Sequence, residues 1–242
     1  VDAGGAWNGG DAAKSVVLPY LRKRGGEIVL LATSHPHADH IGGAPRVIRS
    51  VHVDAVWDGG YVAPSSFYRD MLAAASESHT PWRHVSVGDS VTIDGVSFVV
   101  LAPDATWMQT LHDPNAASLV LRVSFGRASI LLTGDAEAAE EDWLLKNESD
   151  RLRSDVLKVG HHGSSTSSTP PFIDAVHPRL ALVSVGTGNT YGHPSNDVLR
   201  RFEAHGAHVL RTDDEGTIVV STDGGTLTVR ANGEKWHYSL AR

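Results

Sequence analysis

The stretch Thr33–Gly43, TSHPHADHIGG, places four side chains that can bind a metal ion within six consecutive residues: His35, His37, Asp39 and His40. It directly follows the apolar run EIVLLA, which predicts a buried strand. Imidazoles two residues apart in an extended turn can face one ion, and the Asp-His step can present ligands to a neighbouring ion. The stretch predicts one half of a catalytic metal centre, and the alternative is a solvated, histidine-rich loop.

Three more groups of polar side chains follow strand-like runs later in the chain. Asp135 ends LLTGD, His161 and His162 lie in VGHHGSS, and His193 lies in NTYGHPS. Because strand ends converge on one edge of a layered sheet, we expect these side chains to meet the first group. A carboxylate from a separate strand can bridge two divalent ions about 3.5–4 Å apart, which hold a hydroxide between them.

The bulk composition limits the metal and the partners. The chain has 242 residues, 41% of them apolar and 20% charged, which allows a sizeable core and is not typical of disorder. It has no cysteine, so any metal is bound by imidazole and carboxylate groups, which suit zinc, manganese or iron. The net charge of −7 gives no general attraction for nucleic acid, although a local positive site remains compatible with it. No apolar run approaches the roughly 18 residues of a membrane span.

Helical and strand-like segments alternate without a linker or an internal repeat, which predicts a single domain over residues 1–242. Two hairpins are predicted, one turning at Asp94-Gly95 and one near Gly126, and the second is expected to end at Asp135. A β-rich first half followed by strand–helix–strand units predicts an α/β fold, a four-layer αββα sandwich. The predicted helices are Lys14–Arg24, Ala136–Asn147, Pro170–Val176 and Ser195–His205, and three short strands are predicted between His208 and Val229.

The H-x-H-x-D-H signature, the T-G-D strand about a hundred residues later and the late histidines together resemble the metallo-β-lactamase-fold superfamily of hydrolases. VDAGG, NAASLVLRV, LKVGHHGSS and NTYGHPS are similar, more narrowly, to the hydrolase domain at the C-terminus of ComEC-type competence proteins. Those proteins are inner-membrane DNA-uptake channels whose hydrolase domain is thought to degrade the strand that is not imported. The resemblance implies the αββα sandwich, first strands that precede VDAGG and are missing here, and an extracytoplasmic place if the chain belongs to such a channel.

The resemblance also implies roles for single residues. The expected catalytic residues are Asp39, His161 and His162, the two histidines as contacts to the substrate or the transition state. His161 competes with His193 for the late position in the ligand set, and the order of elements after Asp135 allows either. The resemblance implies that His35 and His37 bind the first ion and that Asp39 and His40 bind the second. It also implies that Asp135 bridges the two ions and that His193 completes the second site.

A further set of residues is expected beside the substrate or behind the ligands: Asp2, His112, Asn115, Gly163 and Ser164. Asp2 is expected to brace the histidine loop, as the outer partners of metal ligands do. Many relatives carry another histidine before the T-G-D strand, where this chain has LHDPNAASLVL, so we expect a first site with fewer protein ligands. The backbone amides around Gly163 and Ser164 are candidates for binding a phosphate.

The favoured hypothesis is a hydrolase with two divalent metal ions, zinc or manganese with iron also compatible, that cleaves a phosphodiester of nucleic acid. The preference for a phosphodiester depends on the resemblance and not on geometry. One alternative is a β-lactamase-, lactonase- or esterase-type hydrolase of the same fold that acts on a small molecule. Another is a metal-poor scaffold or binding domain. The implied partners are nucleic acid and a parent membrane channel, and the sequence leaves the compartment open.

Overall fold

Two stretches of chain contribute to the unit that carries the histidine motif. In the computed structural model, which describes residues 1–240, this amino-terminal unit consists of Val1–Ser86 and Pro103–Leu119. Its strands are β1 (Ala6–Trp7), β2 (Gly10–Asp11), β3 (Leu31–Thr33), β4 (Val56–Asp58) and β5 (Trp82–His84), and its helices are α1 (Leu18–Arg24), α2 (Ala38–Ile41), α3 (Ala44–Ser50), α4 (Ser66–Glu77) and α5 (Ala105–Met108).

The order of strands in this unit follows from its apolar runs. Strands β3, β4 and β5 are parallel neighbours, and β3 and β4 are buried throughout, as expected for a parallel sheet covered by helices. Helices α3 and α4 pack together, and Val47, Met71 and Ala74 belong to the same core as Leu31 of β3. The predicted first helix begins with a π-helical turn and continues as α1, with Pro19 in the first turn of α1, where a missing N–H is tolerated.

The glycine pair of the histidine motif allows two sequence motifs to touch. An added Cβ at Gly43 would lie 2.3 Å from the carbonyl oxygen of Ala3, and the Gly43 amide donates to the carbonyl of Gly4 at 2.9 Å. The Asp2 amide donates to the carbonyl of Ala32 in β3 at 2.8 Å. The opening VDAGG therefore lies directly against the end of β3 and the helix after it, which brings the Asp2 carboxylate to the histidines.

The carboxy-terminal unit consists of Val87–Ala102 and the chain from Val120 onward, and it contains a seven-stranded and a three-stranded sheet. Its strands are β6 (Ser90–Ile93), β7 (Val96–Ala102), β8 (Val120–Phe125), β9 (Ala128–Leu132), β10 (Val156–Lys158), β11 (Leu180–Val183), β12 (His208–Arg211), β13 (Val219–Thr222), β14 (Thr226–Ala231) and β15 (Glu234–Ser239). Its helices are α6 (Ala138–Asn147), α7 (Ser149–Leu152), α8 (Pro170–Val176), α9 (Asn196–Ala204) and α10 (Thr212–Glu215).

The larger sheet of this unit changes direction partway across. Strands β6 to β9 are antiparallel, with the predicted turn at Asp94 and Gly95, whose φ angles of 47° and 80° fit a tight hairpin. Strands β9 to β12 are parallel, and helices of the strand–helix–strand units cover them through Phe172 and Phe202. Because four strands run in parallel, the residues that follow them share one edge of the sheet.

Several predicted boundaries are wrong. The strand expected to end at Asp135 ends at Leu132, because Thr133 turns its hydroxyl to the carbonyl of Lys158 at 2.7 Å and Gly134 has a positive φ of 53°. Helix α6 begins two residues later than predicted. The first half is not predominantly β-structure, since it contains α3 and α4, and the last part has a fourth strand, β15, after the three predicted ones.

The α/β class is confirmed, and the assignment of residues 1–242 to a single domain stays a prediction beside the two units found here. Within residues 1–240 no helix has the length and apolar character needed to cross a membrane.

Candidate metal centre

The turn between β3 and α2 carries the four residues of the histidine motif. His35 and His40 are each only 4% exposed, and His35 Nε2 lies 2.9 Å from His37 Nδ1. Two nitrogen ligands at about 2.1 Å from a tetrahedral ion stand about 3.4 Å apart, so a small movement of the rings would fit them to one ion. Asp39 is exposed at the start of α2, with Oδ2 3.7 Å from His40 Nε2.

Asp2 fixes the inner side of this turn. Its Oδ1 accepts from the Ser34 amide at 2.7 Å, and its Oδ2 accepts from the Ser34 hydroxyl at 2.9 Å and lies 2.8 Å from His40 Nδ1. Burial alone would raise the pKa of Asp2, but the hydrogen bond and charge of His40 and the Ser34 amide outweigh it and lower the pKa. The ionised carboxylate holds the proton of His40 on Nδ1, the tautomer in which Nε2 carries the lone pair that a metal ligand needs.

Asn115 lies in a segment attached to the same turn. The Leu119 amide donates to the carbonyl of Ser34 at 2.7 Å, and Asn115 is 8% exposed. Its side-chain oxygen is buried and has no hydrogen-bond partner within residues 1–240, which is costly unless another group binds it. An amide oxygen is a suitable ligand for a divalent cation. His112 is exposed in the preceding loop, where its backbone carbonyl accepts from the Tyr61 hydroxyl at 3.1 Å.

The carboxy-terminal unit carries a second group around Asp135, which is 2% exposed. His161 Nε2 and His162 Nε2 lie 3.9 and 3.5 Å from Asp135 Oδ2. Their other ring nitrogens are held from behind, His161 Nδ1 by Glu137 Oε1 at 2.7 Å and His162 Nδ1 by the carbonyl of Ser184 at 2.6 Å. Metal-binding histidines are oriented in this way, so both Nε2 atoms are prepared to bind a cation.

The backbone of the His161-His162 pair is unusual. Both residues have positive φ angles, 43° and 53°, in the left-handed region that non-glycine residues seldom adopt. The conformation lets consecutive side chains point to the same carboxylate instead of to opposite faces, as they would in a strand. Strained residues of this kind cluster at functional sites and persist where the surrounding contacts hold them.

His193 lies beside this pair. Its ring is 5.6 Å from the ring of His161, measured between centroids, and it stacks on Tyr191 at 6.0 Å. Burial lowers the pKa of His193, and the charges of His161 and His162 lower it further, with Asp135 opposing them. A neutral imidazole keeps a lone pair for a metal ion. The unit thus assembles Asp135 and all three late histidines, with His162 nearest to the carboxylate in the contacts described.

Gly163 and Ser164 connect these histidines. An added Cβ at Gly163 would lie 2.5 Å from the Cβ of Pro194, and the Ser195 amide donates to the carbonyl of Gly163 at 2.8 Å. The Ser164 amide donates to the carbonyl of His161 at 2.8 Å. The two residues therefore dock the His193 segment on the His161 loop, and the Ser164 amide is used within the protein.

Three polar residues of these groups escaped sequence reasoning. Glu137 resembles an ordinary acid in the first turn of a helix, yet it holds His161 and also accepts from the Thr166 hydroxyl at 2.9 Å. Lys158 donates to the carbonyl of Gly134 at 2.7 Å and lies 3.6 Å from Asp135 Oδ1. Ser34 sits inside the motif and contacts Asp2. The one available signal was position, since each lies within four residues of a predicted ligand.

Both groups have the donor chemistry of a divalent metal site. They contain imidazoles with their second nitrogen hydrogen-bonded, carboxylates from separate elements and a buried amide oxygen without a partner. The set contains no thiolate, since the chain has no cysteine. These residues fit the metal-binding role that the sequence predicts, although the donor set does not distinguish zinc, manganese and iron.

Among the solved structures with a similar fold are two whose sequences differ widely from that of this chain. The metallo-beta-lactamase fold protein YhfI from Bacillus subtilis has a TM-score of 0.52 at 12% identity and covers 84% of this chain and 81% of that one. CmlA, a diiron beta-hydroxylase from Streptomyces venezuelae, has a TM-score of 0.52 at 14% identity, and the match covers 77% of this chain and 44% of the CmlA chain. At these identities the likeness shows the fold alone.

Relatives in sequence are much closer. The chain is 36% identical over 214 residues to ComE operon protein 3 of Bacillus subtilis (strain 168), with 85% of this chain and 26% of the relative covered. It is 35% identical to Competence protein ComA of Neisseria gonorrhoeae, with 94% and 30% covered, and 30% identical to Recombination protein 2 of Haemophilus influenzae, with 100% and 28% covered. The chain thus spans less than a third of the length of these relatives. They confirm the resemblance to competence proteins of the ComEC type.

The family relationship is broader still. Residues 1–187 match the sequence pattern of the metallo-beta-lactamase superfamily, which is more than half of the chain. The match includes the histidine motif, Asp135 and the His161-His162 pair, and the similar solved structures agree in fold. The chain therefore belongs to the metallo-β-lactamase superfamily of metal-dependent hydrolases.

Proposed function

We propose that this chain is a metal-dependent phosphodiesterase that acts on nucleic acid. One observation carries the hydrolase part: both units present imidazoles whose second ring nitrogen is hydrogen-bonded to an acceptor, as in His40 with Asp2 and His161 with Glu137. The similarity to competence proteins supports nucleic acid as the substrate class.

The ligand groups described above would hold two divalent ions. His35 and His37 would hold the first ion, and the buried amide oxygen of Asn115 is a candidate further ligand. Asp39 and His40 would hold the second ion. Asp135 would be a ligand to both ions, and one late histidine, His193 or His162, would complete the second ligand set.

The ions, when bound, lower the pKa of a water molecule and neutralise charge on phosphoryl oxygens. The protein's own residues orient the reacting groups and exclude water. His161 is held at Nδ1 by Glu137, so its Nε2 can donate a proton to the oxygen that leaves phosphorus. The Glu137 side chain, 2.7 Å from His161 Nδ1, stabilises the charged imidazole that this role requires. Lys158 is fixed by the carbonyl of Gly134 beside Asp135, where its ammonium adds positive charge near the phosphate.

The test is a substrate panel with the metal-loaded protein. Single-stranded DNA, bis-p-nitrophenyl phosphate and a chromogenic cephalosporin are offered under the same conditions with zinc or with manganese. The proposal predicts cleavage of both phosphodiesters and none of the cephalosporin. Cleavage of the cephalosporin alone would show a hydrolase of the same fold that acts on small cyclic amides, lactones or esters. Less than one bound ion per chain with no cleavage would show a non-catalytic domain.

A further inference from the structure

A basic cleft opens on the carboxy-terminal unit, away from the predicted metal ligands of that unit. Its volume is about 790 Å³, within the range of about 300–1,000 Å³ typical of ligand sites. The charged residues that define it come from separate elements and loops: Arg122, Arg127, Asp150, Arg153, Asp155 and Arg179.

Most of the basic cleft lies at the amino ends of the parallel strands. Arg122 lies within β8 opposite Leu131, and its guanidinium reaches this end to contact the carbonyl of Arg153. Arg127 directly precedes β9, Asp155 precedes β10 and Arg179 precedes β11. The candidate metal ligands Asp135 and His161 follow the opposite ends of β9 and β10. At roughly 3.3 Å per residue, the five residues of β9 alone separate the backbone of Arg127 from the strand end before Asp135 by about 15 Å. The basic cleft is thus a separate feature of the sheet and not an extension of the ligand group.

The charge of the basic cleft is opposite to that of the chain. Four arginines and two aspartates line it, whereas the whole chain carries −7. One of the two aspartates is already engaged: Asp155 accepts from the Ser129 amide at 3.0 Å and from its hydroxyl at 2.9 Å, and lies 3.6 Å from Arg179 Nε. The arginines that line the basic cleft thus outnumber the acids that line it by two.

Arg122 shows the same imbalance at closer range. Its Nε and Nη2 donate to the carbonyl of Arg153 at 3.4 Å, long distances for such bonds. Burial lowers the pKa of the Arg122 guanidinium, and Asp155 only partly opposes this. A partly buried guanidinium with weak partners gains from an added anion, and its planar set of donors matches two oxygens of a phosphate.

We propose that the basic cleft binds the phosphate groups of a nucleic-acid strand. This inference rests on the proposed action on nucleic acid. A chain with a net charge of −7 repels a polyanion in general, so a protein that acts on nucleic acid needs a local basic surface to hold it. The basic cleft has that charge, is lined by the residue type that pairs best with phosphate, and is too large for a single phosphate ion to fill.

The first test removes positive charge without disturbing the core. Arg127 and Arg153 are both exposed, so a variant with Arg127→Ala and Arg153→Ala should fold like the parent. Binding of a labelled short oligothymidine is measured in chelator, where no cleavage occurs. Each phosphate contact contributes roughly 0.7 to the slope of log affinity against log salt, so the slope should fall by about 1.4. Arg230→Ala, at an exposed position on β14 outside the basic cleft, is the matched control.

The second test adds affinity, which structural damage cannot imitate. Asp150 is the cleft acid exposed at the start of α7, and Asp150→Asn removes its charge. The variant should bind the oligothymidine more tightly than the parent, by about threefold to tenfold at low salt, and the difference should disappear at high salt. Equal binding and equal salt slopes in the parent, the double-alanine variant and the Asp150→Asn variant would overturn the proposal.

Competitors identify the ligand. Inorganic phosphate should displace the labelled oligothymidine only at concentrations far above those at which the phosphate groups of an unlabelled strand do so. Polyglutamate should compete poorly. Equal competition by inorganic phosphate would show a simple anion site, and equal competition by polyglutamate would show a site for acidic protein; either result overturns the proposal. Hydrolysis of bis-p-nitrophenyl phosphate, measured separately, tests the proposed function, so each idea can fail alone.

Discussion

Asp2→Asn is the most informative single change in the histidine motif. Asn has the same shape as Asp and tolerates the positive φ of 58° at this position. Its oxygen can still accept from the Ser34 amide, but its amide group then faces His40 Nδ1, which the carboxylate now holds at 2.8 Å. To avoid two opposed donors, His40 must move its proton to Nε2, the nitrogen needed for the metal ion.

The size of the effect on metal affinity follows from residues that hydrogen-bond to metal ligands in other proteins. Their loss lowers metal affinity by about 10–100-fold, or about 1.4–2.8 kcal/mol. The assay is a zinc titration in competition with a chromophoric chelator, with circular dichroism to verify the fold. Asp11→Asn, in the same unit but bonded to Arg46 instead of a histidine, is the control and should bind zinc like the parent. An unchanged zinc affinity in Asp2→Asn would refute the bracing role.

Three further predictions concern catalysis, packing and acid stability. Glu137→Gln should lower kcat for DNA cleavage by roughly 100-fold with little change in KM. The same variant should lower kcat less for bis-p-nitrophenyl phosphate, because its leaving group needs no proton from His161. Gly43→Ala should lower the free energy of unfolding by roughly 1–3 kcal/mol in denaturant titrations, because its Cβ would lie 2.3 Å from the carbonyl oxygen of Ala3. Burial alone would raise the pKa of Asp11, but the hydrogen bonds from Arg46 and Lys14 outweigh burial and lower the pKa. The stability that Asp11 contributes is therefore present above its unfolded pKa of about 3.9 and is lost as the pH falls through the folded pKa. The difference in unfolding free energy between the parent and Asp11→Asn should therefore shrink below about pH 4.

Local sequence was sufficient where one short segment determines the outcome. The turn after β3 has only four residues between strand and helix, so its histidines had to lie close together. The hairpin at Asp94-Gly95 was predictable for the same reason, since the turn type requires those residues. The family resemblance depended on such local motifs and on their order.

Sequence reasoning failed where the partner is distant in the chain or the segment has two uses. Glu137 could be predicted as a helix N-terminal acid, but its bond to His161, 24 residues away, depends on the left-handed backbone of that histidine. Helix α3 was missed because seven residues are too few to show a clear helical period. Helix α4 was missed although its buried residues Tyr68, Met71 and Ala75 recur at helical spacing. The basic cleft gave no signal at all, because its arginines are scattered over nearly sixty residues.

The central claim is that the histidine motif and Asp135 supply ligands to two metal ions. The most direct measurement is the number of metal ions retained per chain by elemental analysis, in the parent, in His37→Ala and in Asp135→Ala. Asp135 as a ligand to both ions predicts about two ions in the parent, a loss of metal in His37→Ala, and a loss of both metal and activity in Asp135→Ala. Undiminished metal content in Asp135→Ala would contradict the claim.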